Sequence, residues 1–369
     1  MDAARLQLGP GPGLAERSAG RSRAQHRLRG GRPARPDEPA GQGRAPVSPS
    51  GWRISEFTYG DLERATSRFA NVLQELGLRP GDRIFVLLGA GPEAYVCALG
   101  TLKFGAVLTT LPVERAAETP RCLSASEAAL LVTSPELYDR FVAPIRPHLS
   151  RLRRVLLVAE PDGLDTVLGT MSPRFAVPPT DPGQPAMVHF TAGTMGAVSG
   201  VVHPHEAVVA QLASATYALD LQDDDNLEIS VSAGRVTHTA YGMIAPLARG
   251  VTTVVDLGPP SLPHDERTTL WYAPAALLDR LHKDGLPHLL PPSLRLIVAE
   301  GGGLRPETVA GSHATLGHTV HDTWWQTETG AILVSNFAGL DVWPGSIGRP
   351  MPGIRAAVVK RSPRGGSSP

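Results

Sequence analysis

Residues 190–205 read FTAGTMGAVSGVVHPH, an apolar run that breaks into glycines and hydroxyls and then resumes at Val201 and Val202. Glycines let backbone N–H groups approach an anion and hydroxyls add donors, so Thr191, Gly193, Thr194, Gly196 and Gly200 suit a phosphate group. A cation usually completes such a loop, and Ser199 stands where one is expected. The stretch is not the common nucleotide loop, whose last glycine is followed by Lys and Ser or Thr. A plain surface turn is the alternative.

Outward from this stretch, strand-length apolar runs alternate with helical periodicity. In YGDLERATSRFANVLQELG, Leu62, Ala65, Phe69, Val72, Leu73 and Leu76 share one helical face, and Gly77 ends it. Strands are expected in RIFVLLGAG, AALLVTS, RVLLVAE, AMVHFTA, NLEISVSA, VTTVVDLG and LRLIVAEGGG. Helices are expected in EAYVCALGTLKFG, EAVVAQLASATYAL, AYGMIAPLARG, APAALLDRLHKDG and after Pro306 and Glu307. The alternation predicts an α/β protein with mostly parallel strands, helices on both faces, and ligands beyond the carboxyl ends of the strands. Loops 193–200 and 301–303 both follow strands. The GAG at 89–91 lacks the third glycine of a dinucleotide fingerprint, because Ala94 occupies that position, and reads as a tight turn.

At 369 residues and 42% hydrophobic, the chain can bury a sizeable core. Lys plus Arg equals Asp plus Glu at 35 each, so no nucleic-acid partner is expected. Lysine occurs only at Lys103, Lys283 and Lys360. Cys97 and Cys122 lack metal-ligand spacing and fit a reducing, cytoplasmic setting. No apolar run approaches the ~18 residues of a membrane span, so no membrane partner is expected. Residues 1–50, rich in Gly, Pro, Ala, Ser and Arg, are expected to be a disordered tail, as are the polar residues 360–369. One domain, 51–359, lies between them.

The segment HDTWWQTETG, 321–330, sets Trp324 and Trp325 among hydroxyl and acidic groups. Adjacent tryptophans commonly pack a core, yet Thr327 and Glu328 suit a phosphate oxygen and a magnesium ion. Both readings stay open on the residues alone. His203 and His205 are two apart with no third ligand nearby, so no zinc site is expected. Neither Ser199 nor Ser230 has the neighbours of an esterase elbow.

Taken together, these stretches resemble the acyl-adenylate-forming superfamily, and within it the acetyl-coenzyme A synthetases (acetate–CoA ligases). FTAGTMGAVSGVVHPH resembles that family's YTSGTTGKPKGVVHTH. The blocks VHDTWWQTETG, YGMIAPLARGVTTVVD, WYAPAALLDRLHK and PGSIGRPMPGIRAAVV resemble further family blocks, and similarity runs from about Ser55 to Val359. The resemblance implies the large N-terminal domain of adenylate-forming enzymes: two mostly parallel, helix-flanked sheets plus part of a small β-barrel. It also implies a two-step acid–thiol ligase that uses ATP and Mg²⁺ to form acyl-AMP from a short carboxylate such as acetate, and then coenzyme A to form the thioester. Carried over by motif, Thr191, Gly193, Thr194 and Gly196 would cradle phosphates. Gly301, Gly302, Gly303 and the run Asp322, Thr323, Trp324, Trp325, Gln326 and Thr327 would line the nucleotide, and Glu328 would hold Mg²⁺. Trp325 would close a short acyl pocket, and Thr237 matches a position near coenzyme A.

The chain departs from that pattern in several places. Ser199 replaces the loop lysine, removing a point charge. The family's GWVTG is GRVTH here, which puts Arg235 in the acyl pocket and His238 in place of glycine. Glu300 stands before Gly301, where acetate enzymes carry a small apolar residue. A carboxylate there should repel a carboxylate substrate unless Arg235 pairs with it. The linker between Val255 and Trp271 looks shorter than the family's. The sequence ends before the ribose-binding aspartate motif and the C-terminal domain that carries the adenylation lysine. The expectation is therefore an impaired ligase, or one completed by a partner chain, with a non-catalytic nucleotide- or acyl-binding module as the alternative.

Overall fold

The structure, a computed structural model, describes residues 25–30, 53–158, 163–192, 198–256, 261–284, 290–357, 360–361 and 367–368. Two sheets carry the described fold. One contains β3 (Arg83–Leu87), β4 (Val107–Thr110), β5 (Leu130–Thr133), β6 (Arg154–Leu157), β7 (Pro185–Ala192) and β8 (Val198–Pro204), in the order β6-β5-β3-β4-β7-β8. Its pairs are parallel except β7 with β8, an antiparallel edge. The other contains β1 (Gln25–Gly30), β2 (Arg53–Thr58), β9 (Asn226–Ile229), β10 (Thr252–Asp256), β11 (Leu270–Pro274), β12 (Leu296–Glu300) and β13 (Val320–His321). Its order is β13-β12-β11-β9-β10-β1-β2, parallel up to an antiparallel β1–β2 edge. Strand runs such as the Ile84–Leu87 stretch are apolar without alternation because both faces are covered.

Helix α1 (Tyr59–Glu75) begins where expected. Thr58 Oγ1 accepts from the Asp61 N–H at 3.1 Å, and Asp61 Oδ2 accepts from the Thr58 N–H at 2.9 Å, a reciprocal cap. It packs on α2 (Pro92–Phe104) through Gly100, where a Cβ would lie 2.8 Å from Phe69 Cδ1 and 3.0 Å from the Thr66 carbonyl oxygen. Phe69, Val72 and Tyr95 from these helices join Ile84 and Val86 in one core cluster. Three shorter helices follow: α3 (Thr119–Ser126), α4 (Pro135–Phe141) and α5 (Leu164–Thr170). Helix α6 (Ala207–Ala218) follows β8.

The segment expected to be one helix from Ala240 is a π-helix, His238–Ile244, running into α7 (Ala245–Arg249). Met243 and Ile244 reach the Phe69 cluster and Tyr241 reaches the core of the second sheet, so the two sheets share packing. Helices α8 (Ala275–Asp284) and α9 (Pro306–Leu316) cover the far face of the second sheet. Three two-residue strands, β14 (Thr323–Trp324), β15 (Val334–Ser335) and β16 (Arg349–Pro350), form a small antiparallel sheet.

Two expectations about the ends change. Gln25–Gly30, inside the stretch expected to be disordered, is strand β1, paired with β10 and β2. In the other tail, Lys360–Arg361 pairs with Ser367–Ser368. The rest of those tails lies outside the described residues. The short linker before β11 is tied down by a buried carboxylate: Glu228 accepts from the His264 N–H at 3.1 Å and from Thr268 Oγ1 at 2.7 Å.

Candidate functional site

A cleft of about 680 Å³ opens beyond the carboxyl ends of strands from both sheets. Gly89 and Ala90 after β3, Ser230 after β9, Pro274 at the end of β11, and Glu300 with Gly301 at the end of β12 line it. This is where an α/β fold places ligands. Gly301 adopts φ +76°, and at Gly301, Gly302 and Gly303 an added Cβ would meet nothing within 4 Å. All three are exposed, so their backbone is open to a ligand.

Arg235 does not pair with Glu300. Its Nε and Nη2 donate to Glu114 Oε1 at 3.2 and 3.1 Å, across the cleft mouth. Glu114, which no sequence pattern singled out, stands 121 residues away in the chain. Glu300 accepts instead from Thr237 Oγ1 at 3.1 Å, and burial pushes its carboxyl above the usual range. Thr237, expected near coenzyme A, is thus itself buried against Glu300.

The tryptophan segment divides in two. Asp322 and Thr323 are buried. The Asp322 carboxylate accepts from the Leu304 N–H at 3.2 Å and the Thr323 N–H at 2.9 Å, which pins the glycine loop 301–303 to β14. Burial raises its carboxyl despite these two donors. Thr323 Oγ1 donates to the Ala299 carbonyl at 2.6 Å and faces the Tyr272 hydroxyl at 3.1 Å. Trp325 Nε1 donates to that same Tyr272 hydroxyl at 3.2 Å, and its ring stands edge-on to Tyr241 at 5.2 Å. Trp325 is therefore a fixed wall. Trp324, Gln326 and Glu328 are exposed and Thr327 is half-buried, on or beside the turn that follows.

Of the phosphate-loop residues, Gly193, Thr194 and Gly196 lie outside the described residues. Thr191 and Ser199 are cross-strand partners on the β7–β8 hairpin, with Thr191 Oγ1 donating to the Ser199 carbonyl at 3.5 Å. Thr191 and Ser199 thus stand opposite each other on an antiparallel strand pair. Arg115 holds its base, donating to the Phe190 carbonyl at 2.9 Å. Lys103 is buried away from both loops, its Nζ donating to Ser67 Oγ and the Glu63 carbonyl.

Beneath the hairpin lies a polar cluster that brings His189 and Thr239 together with His203 and His238, the latter two noted in the sequence separately. His189 Nε2 lies 3.1 Å from Thr239 Oγ1, and its ring sits 5.4 Å from that of His203. His238, from the π-helix, lies 3.4 Å from the Tyr95 hydroxyl. Burial depresses His189 to about 3 and His238 to about 4. His203 also packs on Gly330, where an added Cβ would lie 2.8 Å from its Nδ1, and Gln211 Nε2 donates to the Gly330 carbonyl at 3.2 Å. Among the described residues no three His, Cys, Asp or Glu side chains converge to hold a metal. No helix among them is long and apolar enough to cross a membrane.

Comparison with known proteins matches residues 37–366 to the AMP-binding enzyme family. The chain belongs to that family. It is 33% identical over 325 residues to the acetyl-coenzyme A synthetase of Bacillus subtilis, covering 83% of this chain and 56% of that protein. It is 28% identical to the acetyl-coenzyme A synthetase of Chlorobaculum tepidum, covering 83% and 52%. The chain spans about half the length of these curated relatives. Among solved structures, the fold matches an acyl-CoA synthetase from Brucella canis with a TM-score of 0.77 at 24% identity, covering 96% of this chain and 64% of that one. It also matches ATP-bound MatB from Rhodopseudomonas palustris with a TM-score of 0.74 at 22% identity, covering 87% and 64%. The two helix-flanked sheets of this chain share the fold of these solved structures.

Proposed function

We propose that this chain binds ATP and a short carboxylic acid in the cleft between its sheets, as the nucleotide-binding part of an AMP-forming acid–thiol ligase. The observation that carries the proposal is the meeting of the open glycine backbone at 301–303 and the Glu300-lined cleft at the carboxyl ends of both sheets. In the reaction the carboxylate oxygen attacks the α-phosphate of ATP, pyrophosphate leaves, and coenzyme A later displaces AMP. In this chain, exposed N–H groups of Gly301–Gly303 would bind the nucleotide, and Asp322 holds that loop in place from below. Thr191 and the hairpin loop would contact phosphates, and Trp325 would bound the acyl group. The donor set at the Gln326–Thr329 turn is all oxygen, and the Glu328 carboxylate with the Thr327 hydroxyl suits Mg²⁺, which prefers one or two carboxylates beside phosphate oxygens. When bound, Mg²⁺ would neutralise the charge of the phosphates. Two buried free thiols, Cys97 and Cys122, fit a cytoplasmic setting.

A second reading, a binding module that does not turn over, is favoured by the hairpin, where Ser199 opposite Thr191 supplies no cation. Lys103 is engaged by Ser67 and Glu63, and Lys283 lies on α8, away from the hairpin. Titration of the purified chain with Mg·ATP, followed by acetate-dependent pyrophosphate release, separates the readings. Binding with release supports the ligase, and binding without release supports the module. Ser199→Lys should tighten Mg·ATP binding about five- to tenfold by restoring a point charge beside the phosphates. Unchanged affinity in that variant would refute the phosphate role of the hairpin.

A further inference from the structure

Three ionisable side chains line the cleft: Glu114, Arg235 and Glu300. Two of them pair, because Arg235 donates twice to Glu114 Oε1. What is left is the Glu300 carboxyl, at the point where β12 opens into the glycine loop. The other segments at the cleft contribute Gly89, Ala90, Ser230, Pro274 and Ala275, none of them charged. Among the described residues, Glu300's hydrogen-bond partner is the Thr237 hydroxyl, a neutral donor.

A carboxylate drawn out of water without a cation is unfavourable, and proteins that keep one pair it. Arg235 is near enough to pair in principle, yet its guanidinium is directed to Glu114. Glu300 therefore has no hydrogen-bonded cation among the described residues, the Arg235 charge acting on it only at a distance, and it lines the space a ligand would fill. We propose that Glu300 selects a short carboxylic acid bearing an ammonium group, an amino acid in chemical class, with the ammonium seated on the Glu300 carboxylate. This rests on the nucleotide-and-carboxylate reading given above. The raised proton affinity of Glu300 agrees with it, since a ligand cation would restore the charged form. A neutral acid such as acetate or propionate gains nothing at Glu300 and must tolerate a desolvated anion beside its alkyl group. If Glu300 were only a tether for Thr237, charge on the ligand would make no difference.

Two unreactive mimics of the acyl-adenylates test this: 5′-O-(N-glycylsulfamoyl)adenosine and 5′-O-(N-propionylsulfamoyl)adenosine. They share the nucleoside and differ by an ammonium in place of a methyl group of similar size. Calorimetric titration into the full chain should show the glycyl mimic bound at least tenfold tighter. In Glu300→Gln, which keeps an acceptor for Thr237, the preference should vanish or invert, with the propionyl mimic gaining affinity. Equal binding of the two by the unaltered chain overturns the proposal while leaving the nucleotide reading intact. Retention of the glycyl preference in Glu300→Gln overturns it as well. Failure of both mimics to bind refutes the nucleotide reading, and the proposal with it.

Discussion

Lowering the pH should weaken this protein through His189, by an amount the structure sets. The ring is buried and, among the described residues, its Nδ1 has no hydrogen-bond partner. Burial, reinforced by His203 alongside, depresses its pKa from 6.5 to about 3. A depressed group stabilises the fold above its unfolded pKa, and that stability is lost as pH falls towards the folded value. Between pH 7.5 and pH 5 the unfolded chain takes up a proton that the native ring refuses, which amounts to about 2 kcal/mol for one such histidine. His189→Leu removes the titrating group while keeping a buried side chain of similar size, at the cost of the contact with Thr239. Urea unfolding followed by tryptophan fluorescence at both pH values should therefore show the unaltered protein losing about 2 kcal/mol more than the variant. The lost contact with Thr239 is present at both pH values and cancels in the difference. So do His238, which acts in the same direction, and Glu300 and Asp322, whose raised pKa values act in the opposite one. Equal losses in the two proteins would refute the reasoning.

Two further substitutions probe packing. Gly100→Ala drives a methyl group into Phe69 and the Thr66 carbonyl, so α1 and α2 must separate; the expected loss is about 1–3 kcal/mol in urea unfolding, and a neutral effect would mean that the interface yields freely. Trp325→Ala removes the edge contact with Tyr241 and the donor to Tyr272; the partly buried ring should be worth about 2 kcal/mol, and a change below about 0.5 kcal/mol would show that the wall is not held as described.

Strand runs and helical periodicity were enough to place most of the described elements, because both sheets are covered on both faces and buried strands read as unbroken apolar stretches. The misses have physical causes. Strand β11 was missed: the helix was expected from Ala273 and Leu270–Tyr272 were assigned to no element, since the strand is short and runs straight into Ala275. Strand β8 was not expected at all, because Val198–Pro204 was read with the glycine-rich stretch before it and has only a short apolar core at Val201 and Val202. Strand β1 draws its place from neighbours far along the chain, Val254 and Val255 opposite Arg27 and Leu28. In the site, the glycine loop and Trp325 were legible as motifs, but Glu114 was not. An ion pair spanning 121 residues leaves no local pattern, and it is that pair which decides the charge left in the cleft.

Gly330 does more than turn the chain. The His203 ring closes against its Cα and Gln211 holds its carbonyl, so strand β8, helix α6 and the Gln326–Thr329 turn meet at one point with no spare room. The hairpin that carries Thr191 and Ser199 and the turn that carries Glu328 therefore share a common wall. A side chain in place of the Gly330 hydrogen would press on the His203 ring, and so on the strand that carries Ser199.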